Sequence, residues 1–270
     1  TERGLTYNPE TGNLIVASRL GGVNPVIVDA ETGTVRGRLD GTGIAGGTFP
    51  YNQIKATADG QIFTANLTVD SRQEVKLYRW ADETSSPQLI FSGKVAEPDS
   101  ARFGDALGVY GSGADVTLLL SGSYPGVIAK FTFDGREWVE STEFNYTERV
   151  GRGGFSSTLL DGNVLASGTG AAPRAIRLSD GATAATLSSS DITTIDLNSV
   201  MHIDAFTRGG ETLVAAGPSF TTGQFYLFRL SGDGVKLHLL ETFGPYGAQE
   251  NANNTGGVVF DQAGGRLFLM

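Results

Sequence analysis

The sequence predicts an all-β fold, a β-propeller of four-stranded antiparallel blades. Short apolar segments return in groups of four at a spacing of roughly fifty residues. Glycine-rich turns separate these segments, and the 270 residues include 38 glycines. The second segment of each group ends in small residues, which fit where sheets converge near an axis. Repeated four-stranded units of this kind are the propeller arrangement.

The first group shows the unit most clearly. Residues 4–7, 14–18, 25–29 and 35–39 are apolar or alternating segments, as expected for strands. Turn-forming residues separate them at Asn8–Asn13 and Glu31–Gly33, with a glycine-rich loop at Gly21 and Gly22. This unit therefore predicts one complete blade.

The same pattern continues through five full groups and half of a sixth. We predict a single domain over residues 1–270, a six-bladed propeller whose last blade is incomplete in this chain. The predicted blades cover approximately residues 1–40, 41–93, 94–145, 146–195, 196–247 and 248–270.

Composition narrows the classes of partner. The net charge is −9, which argues against binding to nucleic acid or to anionic membranes. There are no cysteines, so neither disulfides nor thiolate chemistry are expected. No apolar run approaches the roughly 20 residues that span a bilayer, and no signal peptide is present in this chain.

The segment Val26–Val35 resembles a known repeat. Its apolar strand followed by Asp29-Ala30, Thr32-Gly33 and Val35 is similar to the surface-layer (YVTN-like) propeller repeat of bacteria and archaea. The segments Arg3–Arg19, Gly46–Asn66 and Tyr78–Asp82 resemble an uncharacterised family of propeller-like domains in bacterial extracellular proteins. This resemblance implies export and an extracellular or cell-surface location, and it supplies no catalytic residue.

Polar residues lead into the first strand of each unit. In a propeller these positions lie around one mouth of the axial channel, and they are Arg3, Asn52, Asp105, Arg152, Asn198 and Asn254. The oxygens of Asn52, Asp105, Asn198 and Asn254 suit Ca²⁺. They would equally cap strand ends and hold channel water, and the two arginines favour an anionic group instead.

Two functions follow from this sequence. The first is an extracellular, non-catalytic binding or scaffold module without a cofactor, which recognises a protein or glycan through blade-connecting loops. Its exposed loop aromatics would be Phe49, Tyr51, Tyr124, Phe220 and Tyr246. The alternative is a Ca²⁺-dependent six-bladed hydrolase or lactonase with its site at the channel mouth. Self-association through the incomplete last blade is a third possibility.

No catalytic residues are predicted. His202 and Asp204 share one face of a strand, but no G-x-S-x-G elbow accompanies them. A structural role for this histidine is the simpler interpretation.

Overall fold

Six β-sheets follow one another along the described part of the chain. The computed structural model describes residues 2–70, 72–95, 102–124, 127–141, 153–159, 161–168, 170–189, 195, 197–198, 200–218, 224–245 and 256–270. No helix within these residues is long and apolar enough to cross a membrane.

The first three sheets are four-stranded blades in which consecutive strands pair antiparallel. Their strands are β1 (Glu2–Asn8), β2 (Asn13–Ser18), β3 (Val26–Asp29) and β4 (Val35–Arg38); β5 (Phe49–Ala56), β6 (Ile62–Leu67), β7 (Val75–Trp80) and β8 (Gln88–Gly93); and β9 (Arg102–Tyr110), β10 (Thr117–Tyr124), β11 (Ile128–Phe133) and β12 (Trp138–Glu140).

Blades four and five and the last sheet complete the order. Their strands are β13 (Phe155–Thr158), β14 (Asn163–Gly168), β15 (Ala171–Arg177) and β16 (Thr183–Thr186); β17 (Ser188–Ser189), β18 (Val200–Arg208), β19 (Glu211–Pro218), β20 (Phe225–Leu230) and β21 (Lys236–Phe243); and β22 (Val258–Phe260) and β23 (Leu267–Leu269). Strand β17 pairs parallel with β21, which gives the fifth sheet an extra outer strand.

The predicted propeller of four-stranded antiparallel blades is confirmed, but the prediction of six blades is wrong in number. The described residues form five blades, four of four strands and one to which β17 adds a fifth, and the last sheet has the two strands β22 and β23. Strand β22 contacts both β18 and β1, so this small sheet lies between blade five and blade one.

The apolar core lies between successive blades, as radial packing requires. Strand β6 illustrates this, because all six of its residues are buried. Ile62 packs in the cluster shared with blade one, whereas its neighbour Phe63 packs in the cluster shared with blade three. Since successive side chains of a strand point to opposite faces, each inner sheet is covered on both sides.

Aspartate side chains organise several of the tight turns. Asp29 Oδ1 accepts hydrogen bonds from the amides of Glu31 (2.9 Å) and Thr32 (2.7 Å), and Arg36 binds its other oxygen. The hydrogen bond from Arg36, followed by those from Thr32, holds the pKa of Asp29 well below its usual range. The Asp-Ala-x-Thr-Gly segment is therefore a turn stabilised by its first residue.

Candidate functional site

An axial channel runs between the inner strands β1, β5, β9, β13, β18 and β22, each the first of its sheet. We call the end where these strands begin the first mouth and the end where they finish the second mouth. Asn52 lies in β5 and Asp105 in β9, both near the start of an inner strand. The predicted residues Asn52 and Asp105 therefore lie at the first mouth.

Asn52 connects three segments of the chain. Its side chain is 3% exposed, and its Nδ2 donates to the carbonyl oxygen of Gly104 at 2.7 Å. Its Oδ1 accepts a hydrogen bond from Nη2 of Arg19, which follows β2 in the preceding blade. Both polar ends of this amide are thus used to join neighbouring blades.

Asp105 is held by an arginine three residues earlier in the chain. Arg102 donates from Nε to Oδ2 at 2.6 Å and from Nη2 to Oδ1 at 2.7 Å. This two-point geometry is the strongest form of carboxylate recognition by arginine. The hydrogen bonds that Arg102 donates to Asp105 raise the pKa of Arg102, so this guanidinium stays charged.

Arg19 is the second arginine that sequence reasoning did not select. Its guanidinium carbon lies 3.3 Å from the centroid of the Phe49 ring, a cation–π contact. Burial, followed by the positive charge of Arg3, lowers the pKa of Arg19 to about 10, and Arg102 adds to the effect. Its Nε is buried and has no hydrogen-bond partner within the described residues.

We name Arg3, Arg19 and Arg102 the arginine cluster. Arg3 leads β1, and its carbonyl oxygen accepts a hydrogen bond from Gln53 Nε2 at 2.8 Å. The charges of Arg3 and Arg102 both lower the pKa of Arg19. Asp105 offsets the charge of Arg102, and the carboxylate of Glu2, which accepts a hydrogen bond from Ser18 Oγ, lies at the same mouth.

The remaining predicted residues do not extend this group. Asn198 has an exposed side chain in the turn before β18, and its carbonyl oxygen accepts a hydrogen bond from Gly170. Arg152 and Asn254 lie outside the described residues.

The donor set fits Ca²⁺ poorly. Both carboxylate oxygens of Asp105 accept hydrogen bonds from Arg102, and the side-chain oxygen of Asn52 accepts one from Arg19. Calcium requires six to eight oxygen ligands, typically including carboxylates that no cation already neutralises. Within the described ranges, no group of three or more acidic, histidine or cysteine side chains is placed to hold a metal ion.

The loops around the first mouth carry exposed apolar side chains. Phe49 is 36% exposed, and Leu20 and Val69 in neighbouring loops are 67% and 42% exposed. The prediction that Tyr51 is exposed is wrong, because Tyr51 is 2% exposed and its hydroxyl donates to the carbonyl oxygen of Ser18. The Tyr124 side chain, Phe220 and Tyr246 fall outside what the structure describes.

His202 and Asp204 both belong to β18, but their side chains have different surroundings. His202 lines a constriction of the channel, whereas Asp204 binds backbone amides of three segments. Their arrangement shows no hydrolytic triad in the described chain.

Comparison with known proteins finds solved structures of similar fold. No family model and no curated protein matches the sequence. A DUF4623 family protein from Bacteroides eggerthii aligns with a TM-score of 0.72 and 15% identity, over 99% of this chain and 67% of that one. An α-L-arabinanase from Penicillium chrysogenum aligns with a TM-score of 0.62 and 14% identity, over 99% and 88%. A candidate gluconolactonase aligns at 0.59 and 16%, over 100% and 84%.

These likenesses concern the fold alone. The DUF4623 neighbour agrees with the predicted propeller fold, whereas the resemblance to a family of bacterial extracellular proteins and the surface-layer likeness of Val26–Val35 stay predictions. Because propellers host both enzymes and binding domains, function has to be argued from the site.

Proposed function

We propose that this protein is a non-catalytic recognition module that binds an anionic group of a glycan or protein at the first mouth. The observation that carries the proposal is the position of Arg19. Asn52 and Phe49 hold its guanidinium at the mouth, next to the charges of Arg3 and Arg102. A ligand carboxylate or sulfate would bring a negative charge to the guanidinium of Arg19, whose pKa the two neighbouring arginines lower.

Arginine suits this role better than lysine would. Its planar guanidinium offers five N–H donors, which match the geometry of a carboxylate. The stacking on Phe49 and the bond to Asn52 fix the orientation of Arg19 before any ligand arrives, which lowers the entropy cost of binding.

The exposed apolar side chains support a ligand larger than an ion. Leu20 and Val69 in loops and Phe49 at the start of β5 lie on the same side of the disc as the arginine cluster. Aromatic and aliphatic side chains of this kind contact sugar rings or apolar protein surfaces. We therefore place the ligand body on blades one and two and its anionic group at Arg19.

An extracellular or cell-surface location is part of this proposal and rests on the sequence resemblance.

Self-association through the last sheet also stays a proposal. The strand that would pair with a second copy is β23, whose known partner is β22. Sedimentation at increasing protein concentration tests it, and a constant monomer would contradict it.

We expect Arg19→Met to weaken binding of oligogalacturonate by about tenfold or more, because a hydrogen-bonded charge pair is lost. Oligogalacturonate carries one carboxylate per sugar, and its methyl ester presents the same rings without charge. Titration calorimetry of both should show binding of the acid form that weakens with added salt.

The matched control is Arg229→Met, which removes an exposed arginine of blade five and changes the net charge equally. Equal affinities of the two variants, or equal binding of acid and ester, would overturn the proposal.

The calcium-dependent hydrolase is tested separately by removing metal. Since Asp105 and Asn52 already bind arginines, we expect dialysis against EDTA to change the melting temperature by less than about 1 °C. A clear decrease that added Ca²⁺ reverses would support the hydrolase alternative instead.

A further inference from the structure

A cavity of about 570 Å³ opens at the second mouth, on the side opposite the arginine cluster. The ends of all six inner strands contribute to its wall. Much of this wall is apolar and includes Tyr7, Ala56, Val109, Phe155 and Val259. A concave, largely apolar space with a few polar groups is the usual form of a small-molecule site.

A constriction separates this cavity from the first mouth. The neck of the channel holds about 30 Å³, which is room for about one water molecule. Glycines allow the inner strands to approach closely here. A Cβ on Gly257 would lie 2.6 Å from Cβ of Leu5, and one on Gly154 would lie 3.0 Å from the carbonyl oxygen of Met201. The cavity is therefore a site of its own.

Two charged residues, Asp204 and Lys55, line the cavity, and they differ in how many hydrogen bonds their charged groups form within the protein. Asp204 is 1% exposed, and its carboxylate accepts the amides of Ser157 (2.7 Å), Ala205 (2.9 Å) and Phe260 (2.7 Å). Lys55 is half-buried and forms neither an ion pair nor a hydrogen bond through its side chain within the described chain. The ammonium group of Lys55 is thus the charge available to a ligand.

Two hydroxyl groups on the same wall add hydrogen-bond donors. Thr6 Oγ1 accepts the amide of Ala56 at 3.0 Å, and Ser157 Oγ accepts from Gln262 Nε2 at 3.0 Å. Each hydroxyl keeps its own proton for donation, because a hydroxyl is both acceptor and donor. Lys55, Thr6 and Ser157 together present donors to whatever occupies the cavity.

We propose that the cavity binds a small organic carboxylate with an apolar ring, the carboxylate facing Lys55 and the ring lying on the apolar wall. A single lysine matches a single negative charge, whereas a dianion such as a phosphate monoester would leave charge unbalanced in an apolar space. This site does not depend on the function proposed for the first mouth.

The test uses 4-hydroxybenzoate and its neutral counterpart 4-hydroxybenzamide in titration calorimetry with the intact protein. We expect the acid to bind at least tenfold more tightly than the amide, and Lys55→Met to abolish this preference. Ser157→Ala should weaken binding of the acid by a few fold. Lys55→Met should keep the melting temperature of the wild type, since methionine keeps the unbranched apolar part of the side chain and removes only the ammonium group.

Arg19→Met distinguishes the two ends of the channel. Binding of the acid should be the same in this variant as in the wild type. The proposal is wrong if Arg19→Met rather than Lys55→Met removes the preference. It is equally wrong if acid and amide bind alike, or if the wild type binds neither at millimolar concentration.

Discussion

Replacing Asp204 by alanine should lower the free energy of unfolding by about 3–5 kcal/mol, a large share of the stability of a typical domain. The carboxylate of Asp204 accepts amides from β13, β18 and β22, so one side chain joins three inner strands. In the alanine variant these buried amides lose their acceptor. Each such donor costs about 1–3 kcal/mol when water cannot replace the partner.

Urea unfolding followed by tryptophan fluorescence measures this change. Asp233→Ala is the matched control, because Asp233 accepts hydrogen bonds from Ser231 and Val235 in an exposed turn. We expect the control to cost less than about 1 kcal/mol. Hydrogen exchange should show faster exchange at Phe260 and Ser157 in the Asp204 variant. A cost below about 1 kcal/mol for Asp204→Ala would mean that water satisfies these amides.

The partners of the first-mouth residues could not be predicted from the sequence. The repeat pattern predicts that Asn52 and Asp105 lead into inner strands, and the structure has each as the fourth residue of such a strand, β5 and β9. The arginine that binds Asn52 is 33 residues earlier, in a loop of the preceding blade. Nothing in local periodicity identifies such a contact between blades. The sequence alone therefore could not decide whether the first mouth would bind a cation or an anion.

Tyr51 shows why exposure in a loop is difficult to predict. The sequence prediction treated Phe49 and Tyr51 as loop residues, whereas β5 begins at Phe49. The pairing of β5 with β6 shifts register between Phe49 and Gln53, and within this irregular segment Tyr51 is buried whereas Phe49 stays partly exposed. A shift in the start of one strand thus changed the predicted recognition surface.

The short strand β17 shows another limit of predicting strands from sequence patterns. Ser188–Ser189 adds a parallel strand to blade five, although two serines carry no alternation that would predict a strand. Its pairing to Lys236 and Leu237 is made by the backbone, and the hydroxyl of Ser188 adds a hydrogen bond of 3.4 Å to the carbonyl oxygen of Val235. Sequence patterns report buried side chains, so strands of this type escape them.

Gly104→Ala should cost about 3 kcal/mol or more and should also weaken ligand binding at the first mouth. Gly104 has φ of +95°, and a Cβ built there would lie 2.0 Å from the carbonyl oxygen of Asn66. That atom belongs to the backbone of β6 in the neighbouring blade, so the collision can be relieved only by moving one strand away from the other. The carbonyl oxygen of Gly104 also binds Asn52, which in turn orients Arg19.

Gly113→Ala separates the collision from the backbone strain. Gly113 has φ of +62°, and a Cβ there would meet nothing within 4 Å, so this variant should cost only about 1 kcal/mol. Chemical unfolding of both variants gives the difference, and oligogalacturonate binding should weaken in Gly104→Ala but not in Gly113→Ala. Equal costs would mean that β6 and β9 can move apart freely. The close approach of blades two and three could then not be what holds Arg19 in place, and the link between packing and recognition at this mouth would fail.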